Sequence, residues 1–176
     1  PDSPLARAAE WVLPLCAGAE RSVAATKSFI AQLAAGARVV AAWQEDAALR
    51  TALAALPAAL ERAARADWSA GVAALAGVDR LFVIGRGTGL ALAMEVALKF
   101  KETCGIQAEA FSGAEVRHGP MALIAEGFPL LIFAPRGPVW KGSSSPFSGP
   151  LRRHLRGPGS RLCRPRPVLS LCVVSP

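Results

Sequence analysis

The 176-residue chain lacks any uninterrupted apolar stretch near the ~20 residues that a membrane-spanning helix needs, although 52% of its residues are apolar. A membrane partner is therefore not expected. Also missing is a basic start followed by an apolar run, the pattern of a secretory leader. The four cysteines, Cys16, Cys104, Cys163 and Cys172, show no paired ligand spacing, so they do not read as a structural metal site. With no export signal they read as reduced thiols of a cytoplasmic protein. Acidic residues are absent after Pro135, where eight of the twenty Lys and Arg fall, leaving twelve basic against thirteen acidic residues before that point. The net charge of +7 thus belongs to the tail, and the rest of the chain carries no general field for nucleic acid.

What the chain does contain is long enough for one α/β domain with a proper core. Residues 1–19 read as a short helix over 4–10, capped by Ser3 with Pro4 at its first position, and then a strand over 11–16. Residues 20–68 form an Ala-rich helical connection: one helix over 20–43 with Ser22 as its cap, and a second over 46–66, bent or restarted at Pro57. Alanine buries little area per residue, so close helix packing is implied. Residues 69–136 alternate helix and strand: a helix over 69–76, an apolar strand over 80–84, a helix over 89–104 stopped by Gly105, and strands over 107–111 and 129–133. This order predicts an α/β fold with a doubly wound parallel sheet and right-handed crossovers. Such sheets gather their sites at the carboxyl ends of strands, here Arg86, Gly87, Thr88, Ser112 and the loop at Pro135 and Arg136.

The turn Gly85-Arg86-Gly87-Thr88-Gly89 lets backbone N–H groups and a helix N-terminus face an anion such as a phosphate. It has neither the dinucleotide-binding glycine spacing nor a Walker lysine. A structural strand-to-helix turn is the other reading of the same residues. Residues 137–176 lose both periodicities and hold seven of the fourteen prolines with much Gly, Ser and Arg, the composition of a disordered basic tail. Such a tail could bind nucleic acid without sequence preference, although the abrupt change inside a loop is also what a reading-frame change in a GC-rich gene produces.

Almost every ionisable group suited to chemistry lies between Ala97 and Pro120. Glu95, Lys99 and Glu102 stand at i, i+4 and i+7, one stripe of carboxylate, ammonium and carboxylate. Glu102 falls in the last helical turn, where the dipole disfavours an ionised carboxyl and favours a base for carbon acids. Ser112 to Glu115 has the form of a capping box, and His118 follows where that short turn runs out against Gly119 and Pro120. The intervening strand and turn could fold His118 back toward Glu102 as an acid/base pair. A solvated helix face and a loop-anchoring histidine account for the same residues.

The run "ALKFKETCGIQAEAFSGAEVRHGPMALI", with "RLFVIGRGTGLALAMEVALK" before it and "FPLLIFAP" after it, resembles the SIS (sugar isomerase) family. Its relevant members are the isomerase half of glucosamine-6-phosphate synthase and the SIS-type glucosamine-6-phosphate deaminases. The phrase "ERSVAATKSFIAQL" resembles the family's segment between two SIS repeats, which makes residues 1–19 the end of a first repeat and 69–136 a partial second one. The resemblance implies a sugar-phosphate ligand, a homodimer with the histidine supplied by the neighbouring subunit, and chemistry without metal or redox cofactor. It assigns Glu102 to proton transfer between C1 and C2, His118 to ring opening and Lys99 to offsetting enediol charge. Val23 and Ala24 would line the sugar through backbone groups. Ala25, where the synthases usually carry Ser, leans toward the deaminase branch. Because the family's phosphate loops and closing loop fall outside the match, a binding-only or inert remnant stands beside the enzyme reading, and nucleic-acid binding by the tail ranks third.

Overall fold

The computed structural model describes residues 3–125, 127–134 and 170–174, and the chain divides into two units, Pro1–Asp67 and Trp68–Pro176. In the first, α1 (Pro4–Ala8) is capped as expected, the Ser3 hydroxyl accepting from the Ala6 amide at 3.2 Å. The strand expected over 11–16 does not form. Pro14 has no amide to give a ladder, Cys16 turns to φ 52°, and Leu13, Pro14 and Leu15 instead line one cavity with Ala31, Ala34 and Ala35 of α2 (Lys27–Trp43). Helix α2 starts seven residues later than the periodicity suggests, after a loop, and Ser22 is not its cap. Helix α3 (Ala47–Ala64) is opened by the Asp46 carboxylate, which accepts from the Leu49 amide at 2.9 Å, and it runs through Pro57 without a restart.

The second unit is built on β1 (Arg80–Gly85), whose residues from Leu81 onward are all buried. A parallel strand flanked on both sides has no wet face, which is why its sequence is a continuous apolar run. Helix α4 (Ser69–Leu75) precedes it, α5 (Thr88–Cys104) and β2 (Gln107–Ser112) follow, and β3 (Leu130–Ala134) and β4 (Ser170–Val174) complete a parallel sheet in the order β2-β1-β3-β4. Strand β4 departs from the disorder expected of the tail; the remainder of that tail lies outside the described residues.

The two sheet faces separate with the strand period of two. Leu81, Val83 and Leu131 pack against Ala93 and Ala97 of α5, small residues that let the helix lie close to the strands. Phe82, Ile84, Leu130 and Ile132 face the other way, onto Val116, Ile124 and Phe128 of the segment joining β2 to β3. Handedness dictates this division. The step from β1 to β2 moves one way along the sheet and the step from β2 to β3 moves back across β1, so two right-handed crossovers must use opposite faces.

Candidate functional site

The turn from β1 into α5 requires glycine at two places for different reasons. A Cβ on Gly85 would lie 2.0 Å from the Gly89 carbonyl oxygen, so strand and helix could not approach as they do. Gly87 holds φ 58°, ψ −129°, outside what side chains tolerate. The Gly89 and Leu90 amides are taken by the turn's own Arg86 and Gly87 carbonyls at 3.0 Å each, which leaves fewer donors for an anion than the sequence suggests. Gly85 pairs with Ser112, and the Gly113 amide donates to the Gly85 carbonyl at 3.1 Å. Arg86, Gly87, Thr88 and Ser112 therefore do share the carboxyl edge of the sheet; Pro135 and Arg136 lie outside the described residues.

Ser112 is engaged in its capping box. Its amide donates to a Glu115 carboxylate oxygen at 2.9 Å while its hydroxyl accepts from the Glu115 amide at 3.1 Å. The Ser112 amide, then its side chain, hold the Glu115 carboxyl below the ordinary carboxylate range. The box opens a 3-10 turn, Glu115–His118, on the face of the sheet opposite α5, with Val116 as its buried anchor. His118 is exposed, and its imidazole has no hydrogen-bond partner among the described residues.

Lys99 lies between the two carboxylates of the stripe, its Nζ 2.7 Å from Glu102 and 3.2 Å from Glu95. All three side chains are partly covered, at 21% exposure for Lys99, 19% for Glu95 and 30% for Glu102. The hydrogen bond to Glu102 is the main reason the Lys99 ammonium is held above the ordinary lysine range; desolvation opposes it and Glu95 adds to it. The triad is partly dry, charge-compensated and presented by a rigid helix.

Within one copy, however, Glu102 and His118 do not meet. Helix α5 runs antiparallel to the strands, so Thr88 and Glu102 stand about 21 Å apart along its axis at 1.5 Å per residue. Glu102 is near the amino ends of the strands on one face, and His118 follows the carboxyl end of β2 on the other. The sheet stands between them, and the fold-back considered from the sequence is corrected by the opposite-face rule for consecutive crossovers. Val23 and Ala24 belong to the first unit, in the loop before α2, where Val23 is 99% exposed.

Sequence reasoning missed Glu20. Its carboxylate accepts from the Thr26 amide at 3.2 Å, the Ser28 amide at 2.7 Å and the Ser28 hydroxyl at 3.1 Å, replacing the side-chain cap that Thr26 does not provide. The signal was an acid six residues ahead of the helix cap position Thr26, too far for a local capping rule. Elsewhere, a cavity of about 510 Å³ lies beside α4, the end of α5 and β3, lined mostly by apolar groups such as Trp68, Val72, Phe100 and Phe133. It offers a sugar phosphate few partners. Among the described residues no helix is long and apolar enough to cross a membrane.

Residues 74–139 match the SIS domain family model. The chain is 40% identical over 156 residues to a glutamine–fructose-6-phosphate aminotransferase (isomerizing) of Zymomonas mobilis, and 39% identical over 141 residues to that of Symbiobacterium thermophilum. These alignments cover 82% and 73% of the chain but only 26% and 23% of those proteins. Among solved structures it is similar to a Silicibacter pomeroyi protein assigned to the phosphosugar isomerases, at TM-score 0.79 and 40% identity over 94% of the chain and 51% of that protein. The C-terminal domain of a Francisella tularensis glucosamine-fructose-6-phosphate aminotransferase shares the fold at TM-score 0.70 and 23% identity, over 99% of the chain and 54% of that domain. The chain spans about a quarter of the length of its curated relatives and about half that of the solved ones.

Proposed function

The chain belongs to the SIS family through the domain at residues 74–139, and from that premise we propose that it binds a sugar phosphate of the fructose 6-phosphate and glucosamine 6-phosphate class. Two copies together would interconvert aldose and ketose. The observation that carries the reading is the Glu95-Lys99-Glu102 triad, a partly covered carboxylate with a cation 2.7 Å away. An aldose–ketose isomerisation moves one proton between C1 and C2 of the open chain, so a single carboxylate can take it and return it. Glu102 has that role, and Lys99 offsets the charge that develops on the enediol oxygens. Ring opening falls to His118 of the partner subunit, since this copy's own histidine lies across the sheet. Arg86, Gly87, Thr88 and Ser112 share that histidine's end of the sheet, so any contact they make with the same sugar also comes from the partner copy. Val23 and Ala24 present backbone groups to the ligand. Deamination, in which the same proton transfer precedes loss of ammonia from C2, is the variant reaction of the site.

A second reading, binding without turnover, draws on the separation of Glu102 and His118 within one copy. Calorimetric titration with fructose 6-phosphate and with glucosamine 6-phosphate, paired with NMR detection of deuterium uptake at C1 or C2 in heavy water, separates the two. Saturable binding with uptake supports the isomerase, binding alone supports the second reading, and no binding of either sugar defeats both.

A further inference from the structure

The loop ahead of α2 is held shut at its base. Glu20 spans from its near side to Thr26 and Ser28 on the far side through three hydrogen bonds, and the Lys27 ammonium donates to the Ala19 carbonyl at 2.6 Å. Five residues, 21–25, are looped out between these ties, with Val23 almost wholly exposed at 99% and Ala24 half-buried behind it. Nothing about α2 itself needs this arrangement. Helices ordinarily satisfy their first amides with a side chain at the cap position, and a serine or aspartate at 26 would do so without closing a loop. A carboxylate reaching back over six residues fixes both the helix start and the path of the chain between the ties. The charge suits the place, since the positive end of α2 and the Lys27 ammonium both favour an anion there.

We infer that Glu20 is a positioning residue, which closes the loop at its base and so fixes the backbone groups of Val23 and Ala24 against the sugar phosphate. The inference rests on the reading above that this loop contacts the ligand, and it adds the device that orders it before the ligand arrives. A preordered loop does not lose its conformational freedom on binding, so opening it weakens affinity without removing any contacting group.

The test uses the full chain with Glu20→Ala and Glu20→Gln. Arg21 lies inside the loop and reports its opening directly, through the rate of tryptic cleavage after that residue followed by mass spectrometry. Fructose 6-phosphate affinity is measured in parallel by calorimetry. For Glu20→Ala we expect faster cleavage at Arg21, and affinity lower by about tenfold, the order of one charge-assisted hydrogen bond. Glu20→Gln keeps an acceptor oxygen in the same place and should fall between the alanine variant and the natural chain in both measurements, a graded rescue that general destabilisation would not give. Unchanged cleavage at Arg21 in Glu20→Ala would overturn the clasp, and faster cleavage with unchanged affinity would overturn its role in positioning. A natural chain that binds no sugar phosphate at all would instead defeat the functional reading on which this one rests.

Discussion

At the scale of single residues, the proposed chemistry concentrates on Lys99 and Glu102. The stripe was legible because helical neighbours recur at three and four residues, and both ion pairs form at those spacings. Removing the carboxylate charge while keeping its shape, as in Glu102→Gln, should cut deuterium uptake at C1 or C2 by about a thousandfold, the usual worth of a placed base, with sugar-phosphate affinity nearly unchanged. A comparable loss of affinity would place Glu102 in binding and not in proton transfer. The same substitution carries an electrostatic consequence that needs no substrate. Lys99 is held above its ordinary range chiefly by Glu102, so its contribution is fully present below that range and is lost only as pH rises through the raised value. NMR titration of the Lys99 ammonium should show its midpoint fall in Glu102→Gln. Glu20 has the opposite sign. Hydrogen bonds, that from the Ser28 amide first, hold its carboxyl below the ordinary range, with the nearby Lys27 ammonium acting in the same direction. Its clasp is therefore intact above that range and opens as pH falls through the lowered value, when the Thr26 and Ser28 amide resonances should shift together.

At the scale of elements, the second unit was legible and the first much less so. The run of β1, the α5 periodicity and the Gly105 stop each combine a local pattern with a core that rewards it; Gly105 does adopt φ 65°. The Ser112–Glu115 box likewise forms from four consecutive residues. By contrast, residues 11–16 have the apolar content of a strand, but a strand needs a neighbour to receive its hydrogen bonds, and no local rule reveals that part of this segment will border a cavity beside α2 instead. The late start of α2 has the same origin in a non-local contact, and β4 shows a pairing that composition could not announce. The crossing of β1 and α5 gives the firmest element-scale prediction. Gly85→Ala drives a methyl group into the Gly89 carbonyl, backbone against backbone with no flexible side chain to yield. It should cost about 1–3 kcal/mol, as overpacking does, read as a lower denaturation midpoint at unchanged slope. Leu81→Ala, at 1% exposure, should cost about 2–5 kcal/mol by leaving a cavity under α5. A smaller loss for Gly85→Ala than for an exposed-site control such as Gly36→Ala would refute the close-approach account.

At the scale of the whole molecule, the decisive feature is that two consecutive right-handed crossovers occupy opposite faces of one sheet. The residues that carry this were all visible in the sequence, yet the separation of Glu102 from His118 follows only once the strand order β2-β1-β3 is known, because the order decides which way each crossover travels. A site needing both groups must then take one from each of two copies. That requirement has a quantitative signature in mixed assemblies. Glu102→Gln and His118→Ala homodimers should each be inactive in sugar-phosphate isomerisation, since every site in them lacks one group. When the two variants are unfolded, mixed in equal amounts and refolded, half the dimers are mixed, and in each of these one site carries both substitutions while the other keeps both natural residues. Recovery of about a quarter of natural activity is the expected result for a two-fold assembly with shared sites. No recovery, with mixed dimers verified by mass spectrometry and natural dimers surviving the same refolding with activity, would mean that the histidine and the glutamate never serve one sugar. The triad on α5 would then have to be explained without His118.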